Sequence, residues 1–202
     1  MENKYAPLEA DSIYHVYNQA NGDERLLRIG ENYAFFLRQY QKYIHPFAET
    51  FSYCLMPNHF HFLIQIKNEQ SLKDLPGFQN LTGLDNKKLS NFISKQFSNL
   101  FNSNTKAFNK MYQRKGSLFM KPFKRKKIED EAYLKKLIHY IHYNPVEAAL
   151  VKLPVDWKYS SYKTIISSYK TSIKRNEVIA LFEDKQNFIY CHKIALTISR
   201  ID

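Results

Sequence analysis

Two histidines separated by one bulky apolar residue, His59-Phe60-His61, sit inside the hydrophobic run Met56-Pro57-Asn58-His59-Phe60-His61-Phe62-Leu63-Ile64. Side chains alternate faces along a β-strand, so this spacing aims both imidazoles to one side. Phe60 and Phe62 go to the other side, where aromatic packing would anchor the strand. Neutral imidazoles side by side are natural ligands for a divalent metal. The same pattern also suits two histidines satisfied within a core, and the motif alone leaves both readings open. A second candidate pair lies in Leu137-Ile138-His139-Tyr140-Ile141-His142-Tyr143-Asn144-Pro145-Val146, where Tyr140 and Asn144 are four residues apart and share one helical face. An amide oxygen there can complete a metal shell, and a phenolic oxygen can attack a phosphate that the metal polarises. The plainer assignment makes Tyr140 a core aromatic and Asn144 a helix C-cap.

The elements that must position these residues follow from periodicity and punctuation. Residues 12–17 are rich in β-formers and predict a first strand. Residues 32–44 carry Tyr33, Phe36, Leu37, Tyr40 and Ile44 at helical spacing, ended by Pro46. Residues 47–66 predict two strands, or one broken near Pro57. A polar connection over 67–86 contains Pro76, Gly77 and Gly83. Residues 87–112 predict a helix at least as far as Asn102, 113–116 a basic turn, and 118–128 a very basic extended segment. Residues 130–143 predict a strongly amphipathic helix with Asp130 as N-cap, stopping near Asn144 because Pro145 disfavours helical geometry there. Weaker helical stretches occupy 176–182 and 185–198. The order βαβ(β)αβα is that of an α+β, ferredoxin-like sandwich: an antiparallel sheet with helices on one face and the other face left for a site, plus a C-terminal helical extension. The expected division is a domain over residues 1–168 and a helical tail over 169–202.

The chain has 202 residues, 44% of them apolar, enough to bury a core. Lys and Arg outnumber Asp and Glu by 30 to 19, a net charge of +11, and aromatics reach 15%. Excess positive charge interleaved with aromatics suits a polyanion with stackable faces, namely nucleic acid. No long uncharged apolar segment predicts a membrane span, and the polar, acidic N-terminus lacks the order of a signal peptide. Cys54 and Cys191 lie far apart without a CxxC, which argues against a zinc finger and for reduced thiols in a cytosolic protein.

The combination Met56-Pro57-Asn58-His59-Phe60-His61 with Tyr140-Ile141-His142-Tyr143-Asn144-Pro145-Val146 resembles the single-tyrosine HUH transposases of the IS200/IS605 type, and most of all their REP-associated branch. Further matching stretches are Tyr14-His15-Val16-Tyr17-Asn18, Lys115-Gly116-Ser117-Leu118-Phe119 and Asp156-Trp157-Lys158-Tyr159-Ser160-Ser161-Tyr162, collinear from about Ser12 to Tyr162. The resemblance implies His59, His61 and Asn144 as metal ligands, with Mg²⁺ or Mn²⁺ as cofactor, and Tyr140 as nucleophile. It implies cleavage and rejoining of single-stranded DNA through a 5′-phosphotyrosine, with hairpin DNA as the address. The expected setting is a bacterial cytoplasmic, nucleoid-associated protein with no membrane partner, acting as a monomer rather than a homodimer. Arg114, Lys115, Lys121, Lys124, Arg125, Lys126 and Lys127 are the expected DNA contacts, although such a run also serves to keep a strand edge charged. The alternative is a non-catalytic protein that binds hairpin or repeat DNA on the same scaffold. A metal-dependent RNA endonuclease, with the histidines doing acid–base work and Tyr140 dispensable, is a third possibility.

Overall fold

The computed structural model describes residues 5–75 and 86–194. Four strands, β1 (Ile13–Gln19), β2 (Ala48–Leu55), β3 (His59–Ile66) and β4 (Lys124–Ile128), form one sheet in the order β2-β3-β1-β4, and every neighbouring pair is antiparallel. Helix α1 (Gly30–Tyr43) joins β1 to β2. The short α2 (Glu69–Lys73) and the long α3 (Asn86–Met111) join β3 to β4. This is the strand order of the ferredoxin-like sandwich expected from the sequence. The polar connection resolves into α2 and residues outside the described ones, among them Pro76, Gly77 and Gly83.

Strand alternation sorts the sheet into two cores. Phe60, Phe62, Ile64 and Ile66 of β3, with Tyr14 and Val16 of β1, face Tyr33, Phe36 and Tyr40 of α1 and Ile93, Phe97, Leu100 and Phe101 of α3. The aromatic contacts are close: Phe62 stacks on Tyr40 with ring centroids 4.2 Å apart, and Phe60 lies 5.7 Å from Phe101. Leu63, Cys54 and Ile128 point the opposite way, into a second core with Leu137, Ile138 and Ile141 of α4 (Glu131–Glu147). The sheet face expected to stay open for a site is therefore covered in part by α4 itself.

Helix α4 starts as expected, with the Asp130 carboxylate accepting from Tyr133 N–H. It differs from expectation in two ways. Residues 137–142 are buried without interruption, so amphipathicity holds only for the first half. Packing explains this: α5 (Tyr162–Ile166), α6 (Arg175–Leu181) and α7 (Lys185–Cys191) bring Tyr162, Val178, Phe182 and Phe188 into the same core as α4. The helix also runs through Pro145 to Glu147 instead of stopping at Asn144. Proline removes one helical donor and disfavours helical geometry in the residue before it. Pro145 is nevertheless buried, and Ala148 N–H and Leu150 N–H close the last turn on the Asn144 and Pro145 carbonyls. Tertiary packing overrides the local preference.

The basic extended segment is also shorter than expected, with regular pairing confined to β4 and an isolated bridge between Ala20 and Phe119. On the far edge of the sheet, residues 157–161 cover β2. Leu55 N–H bonds Tyr159 O, Ser161 N–H bonds Tyr53 O, and the Trp157 indole N–H donates to Leu55 O. That cover blunts an edge strand that would otherwise be free to pair with another chain. The helix expected over 176–182 is α6. That expected over 185–198 is shorter: α7 ends at Cys191, residues 192–194 form a turn and bend, and residues 195–198 lie outside the described ones.

The tail is tied to α4 through histidines. His142 Nδ1 lies 3.0 Å from His192 Nε2, and His192 Nδ1–H donates to Phe188 O at 2.7 Å. Burial pushes His192 down to about 3, against about 6.5 in an unfolded chain. Between those values the unfolded chain binds one more proton than the folded one. Stability is thus complete above pH ~6.5 and falls as the medium is acidified. Urea unfolding at a series of pH values is expected to show a loss of about 2 kcal/mol from this residue by pH 5. His192→Asn should lower stability at neutral pH yet flatten the acid slope by about one proton; an unchanged slope contradicts the assignment.

Candidate functional site

The turn between β2 and β3 places the first candidate ligand. Met56 N–H bonds His59 O, while Pro57 O and Asn58 O accept from Leu27 and Ala20 N–H, which pins the turn to the start of the α1 connection. From there the pleat carries His59 and His61 to the α4 side and Phe60 and Phe62 to the α1–α3 side, as the spacing predicts. His61 pairs in register with Tyr17 of β1 and Cys54 of β2, near the middle of the sheet, and is buried. His59 lies at the end of the strand and is half-exposed.

Helix α4 crosses this face and delivers the other two candidates. The Asn144 side chain spans both imidazoles: Oδ1 lies 3.1 Å from His59 Nε2, and Nδ2 lies 3.3 Å from His61 Nε2. One turn earlier, Tyr140 sets its ring edge-on to His61, with centroids 5.4 Å apart and planes at 78°. Four residues separated by some eighty positions in sequence thus meet at one point. The plainer readings of core aromatic and C-cap account for burial but not for the amide bridging both histidines.

Burial keeps His61 and His15 neutral. Burial, reinforced by His15 and His59, holds His61 well below the usual histidine range, and burial with nearby Lys126 holds His15 at about 3. Neutral imidazoles keep a lone pair for a metal. His59 provides a more specific observation. Its Nδ1 lies 2.8 Å from Asn58 Oδ1, and its Nε2 faces Asn144 Oδ1. A neutral ring carries a single N–H, so one of these contacts sets nitrogen lone pair against oxygen lone pair. A positive charge there, whether a proton or a metal cation, removes the repulsion. With Nδ1–H donating to Asn58, the cation would sit between His59 Nε2 and Asn144 Oδ1. The donor set of two imidazoles and one amide oxygen fits a borderline divalent ion. Among the described residues no three His, Cys, Asp or Glu side chains form a metal-holding group, so the third donor would have to be the amide.

The basic residues divide by strand parity. Lys124 and Lys126 pair with Tyr17 and His15 on the α4 side. Lys124 lies over the Tyr17 ring at 5.3 Å and, with Asn18, Gln19, His59 and His61, lines a cleft of about 170 Å³. Lys126 donates to Tyr133 OH at 3.1 Å. Arg125 and Lys127 face the other way: Arg125 Nε donates to Ala6 O, and Lys127 pairs with Glu9. Lys121 and Arg125 border a separate groove of about 830 Å³ against α3. Arg114 holds the turn before the basic segment together, pairing with Glu24 at 2.7 Å and bonding the carbonyls of Gly116 and Ser117. Lys115 is exposed beside it. Of the seven expected DNA contacts, the fold brings Lys124 and Lys126 to the histidine side and gives Arg114, Arg125 and Lys127 partners within the protein. Sequence reasoning assigned no role to His15 or Tyr17, which neighbour the site. Their parity in β1 was readable, but adjacency to His61 needs the strand pairing.

No protein-family model matches the chain. It is similar to a curated relative from Haemophilus influenzae named "Putative REP-associated tyrosine transposase", 29% identical over 121 residues, which are 58% of this chain and 60% of the relative. The match thus spans about three-fifths of that relative's length. Among solved structures, it is similar to a REP-associated tyrosine transposase bound to a REP hairpin, with a TM-score of 0.57 and 16% identity, covering 84% of this chain and 89% of that one. The chain therefore shares the fold of that solved structure. The resemblance read from the motifs, to the REP-associated branch, is borne out by both comparisons.

The division of the basic residues has a measurable consequence. Arg114→Ala is expected to lower the unfolding free energy by about 1–2 kcal/mol through its lost charge-assisted bonds. Lys115→Ala should stay within about 0.5 kcal/mol of the parent. Chemical denaturation of the two variants compares them directly, and equal, negligible effects would remove Arg114 from its structural role.

Proposed function

We propose that this protein cleaves and rejoins single-stranded DNA through Tyr140, with a divalent metal held by His59, His61 and Asn144 and with hairpin DNA as its address. The observation that carries the proposal is the Asn144 amide lying between the two imidazoles with Tyr140 edge-on to one of them. The names of the curated relative and of the solved structure support it.

His59 Nε2, His61 Nε2 and Asn144 Oδ1 would hold Mg²⁺ or Mn²⁺. Such an ion would supply Lewis-acid polarisation of a non-bridging oxygen of the scissile phosphate. The chain's own residues do the rest. The Tyr140 oxygen attacks phosphorus, the bond to the 3′ oxygen breaks, and the phenolic proton balances the new 3′-OH. The product is a 5′-phosphotyrosine, and attack by another 3′-OH reverses the step and reseals a strand without external energy. Lys124, in the cleft beside the histidines, is placed to neutralise the DNA backbone, and Tyr17 presents an aromatic ring beside it.

The test is a covalent adduct. Protein would be incubated with 3′-labelled single-stranded hairpin DNA and Mn²⁺ or Mg²⁺, then run on a denaturing gel. Wild type is expected to carry label. Tyr140→Phe is expected to carry none while retaining DNA binding, and His59→Ala and Asn144→Ala should fall at least about 100-fold. Binding without adduct across a panel of hairpins and both metals would leave a non-catalytic hairpin-binding protein. Cleavage that survives in Tyr140→Phe would mean that the histidines act without it.

A further inference from the structure

We propose that His15 is a positioning residue for His61, holding that ring in the tautomer whose bare Nε2 faces Asn144. The inference rests on the metal-site reading above and assigns a role to a residue outside the expected ligand set.

The geometry sets the proton positions in turn. Asn144 Nδ2 approaches His61 Nε2 at 3.3 Å, and an amide NH₂ only donates, so His61 Nε2 must present its lone pair. A neutral His61 then carries its proton on Nδ1, which lies 2.9 Å from His15 Nε2 and donates to it. His15 must in turn carry its own proton on Nδ1, where no hydrogen-bond partner exists among the described residues. His15 is 0% exposed and His61 1%. Leaving a buried polar group unpaired is destabilising, so an apolar side chain would serve the core better here. What the histidine provides is an acceptor aimed at His61 Nδ1–H. The rings are held in place as well as bonded: Tyr17 stacks on His15 with centroids 4.5 Å apart, and His15 lies nearly parallel to His61 at 5.1 Å. A ring nitrogen that binds metal is commonly oriented by the hydrogen bond its other nitrogen makes. His15 occupies that place, using an imidazole where a carboxylate or carbonyl is more usual.

The experiment measures Mn²⁺ binding to the DNA-free protein by calorimetry for wild type, His15→Leu, His15→Gln and His59→Ala, with circular dichroism to verify folding. His15→Leu is expected to weaken binding about 10–100-fold. His15→Gln, whose amide oxygen keeps an acceptor for His61 Nδ1–H, should recover most of the loss. Undiminished affinity in folded His15→Leu overturns the proposal, as does a His15→Gln no better than leucine. Should His15→Leu not fold, nitrogen NMR of the His61 ring in the wild-type protein decides: a proton on Nδ1 supports the assignment and a proton on Nε2 overturns it. Wild type that binds Mn²⁺ no better than His59→Ala overturns the metal-site reading itself, a result distinct from losing His15 alone.

Discussion

The contact on which the site depends is the Asn144 amide lodged between His59 and His61. It links two elements that share no local sequence, a central strand of the sheet and a helix more than sixty residues further on. The bridge is polar and its arm to His61 is buried, so its geometry has little freedom: a displaced amide would take from the buried His61 Nε2 its contact with Asn144. Everything that fixes the approach of α4 to β3 is therefore also a control on the site.

Two cores provide that control from opposite sides. Behind the strand, Phe60 and Phe62 are locked among aromatic rings of α1 and α3, so His59 and His61 are mounted on a rigid wall. Around the helix, Tyr162, Val178, Phe182 and Phe188 share one core with α4, and the His142–His192 pair ties the last helix to it. The C-terminal residues are thus part of the support for α4. The same packing explains why Pro145 is tolerated inside the helix: burial of residues 137–142, Asn144 and Pro145 outweighs one missing backbone bond.

Charge is distributed with the same economy. An excess of lysine and arginine gives the whole molecule a positive field, but strand alternation in β4 separates its members. Lys124 and Lys126 belong to the histidine side, whereas Arg125 and Lys127 fasten the N-terminal segment through Ala6 and Glu9. A run of four basic residues in sequence is two functional pairs in space.

Much of this was legible before any fold was known. The alternation of His59-Phe60-His61-Phe62 predicted which side each ring takes, the four-residue step put Tyr140 and Asn144 on one helical face, and the order of elements implied the antiparallel sheet. These are consequences of local periodicity, which sequence carries directly. The extent of α4 past Pro145, the burial of its second half, the cover it lays over the second sheet face and the partners of Arg114 and Arg125 were not legible, because each depends on what packs against the segment rather than on the segment itself. The His15–His61 pair belongs with them. Strand parity put both rings on the same face, but only the pairing of β1 with β3 set them 2.9 Å apart. The sequence by itself determined the chemical inventory and the facing of each side chain. Tertiary structure alone decided which members of that inventory meet, since contact between distant residues is a property of register and packing, not of spacing along the chain.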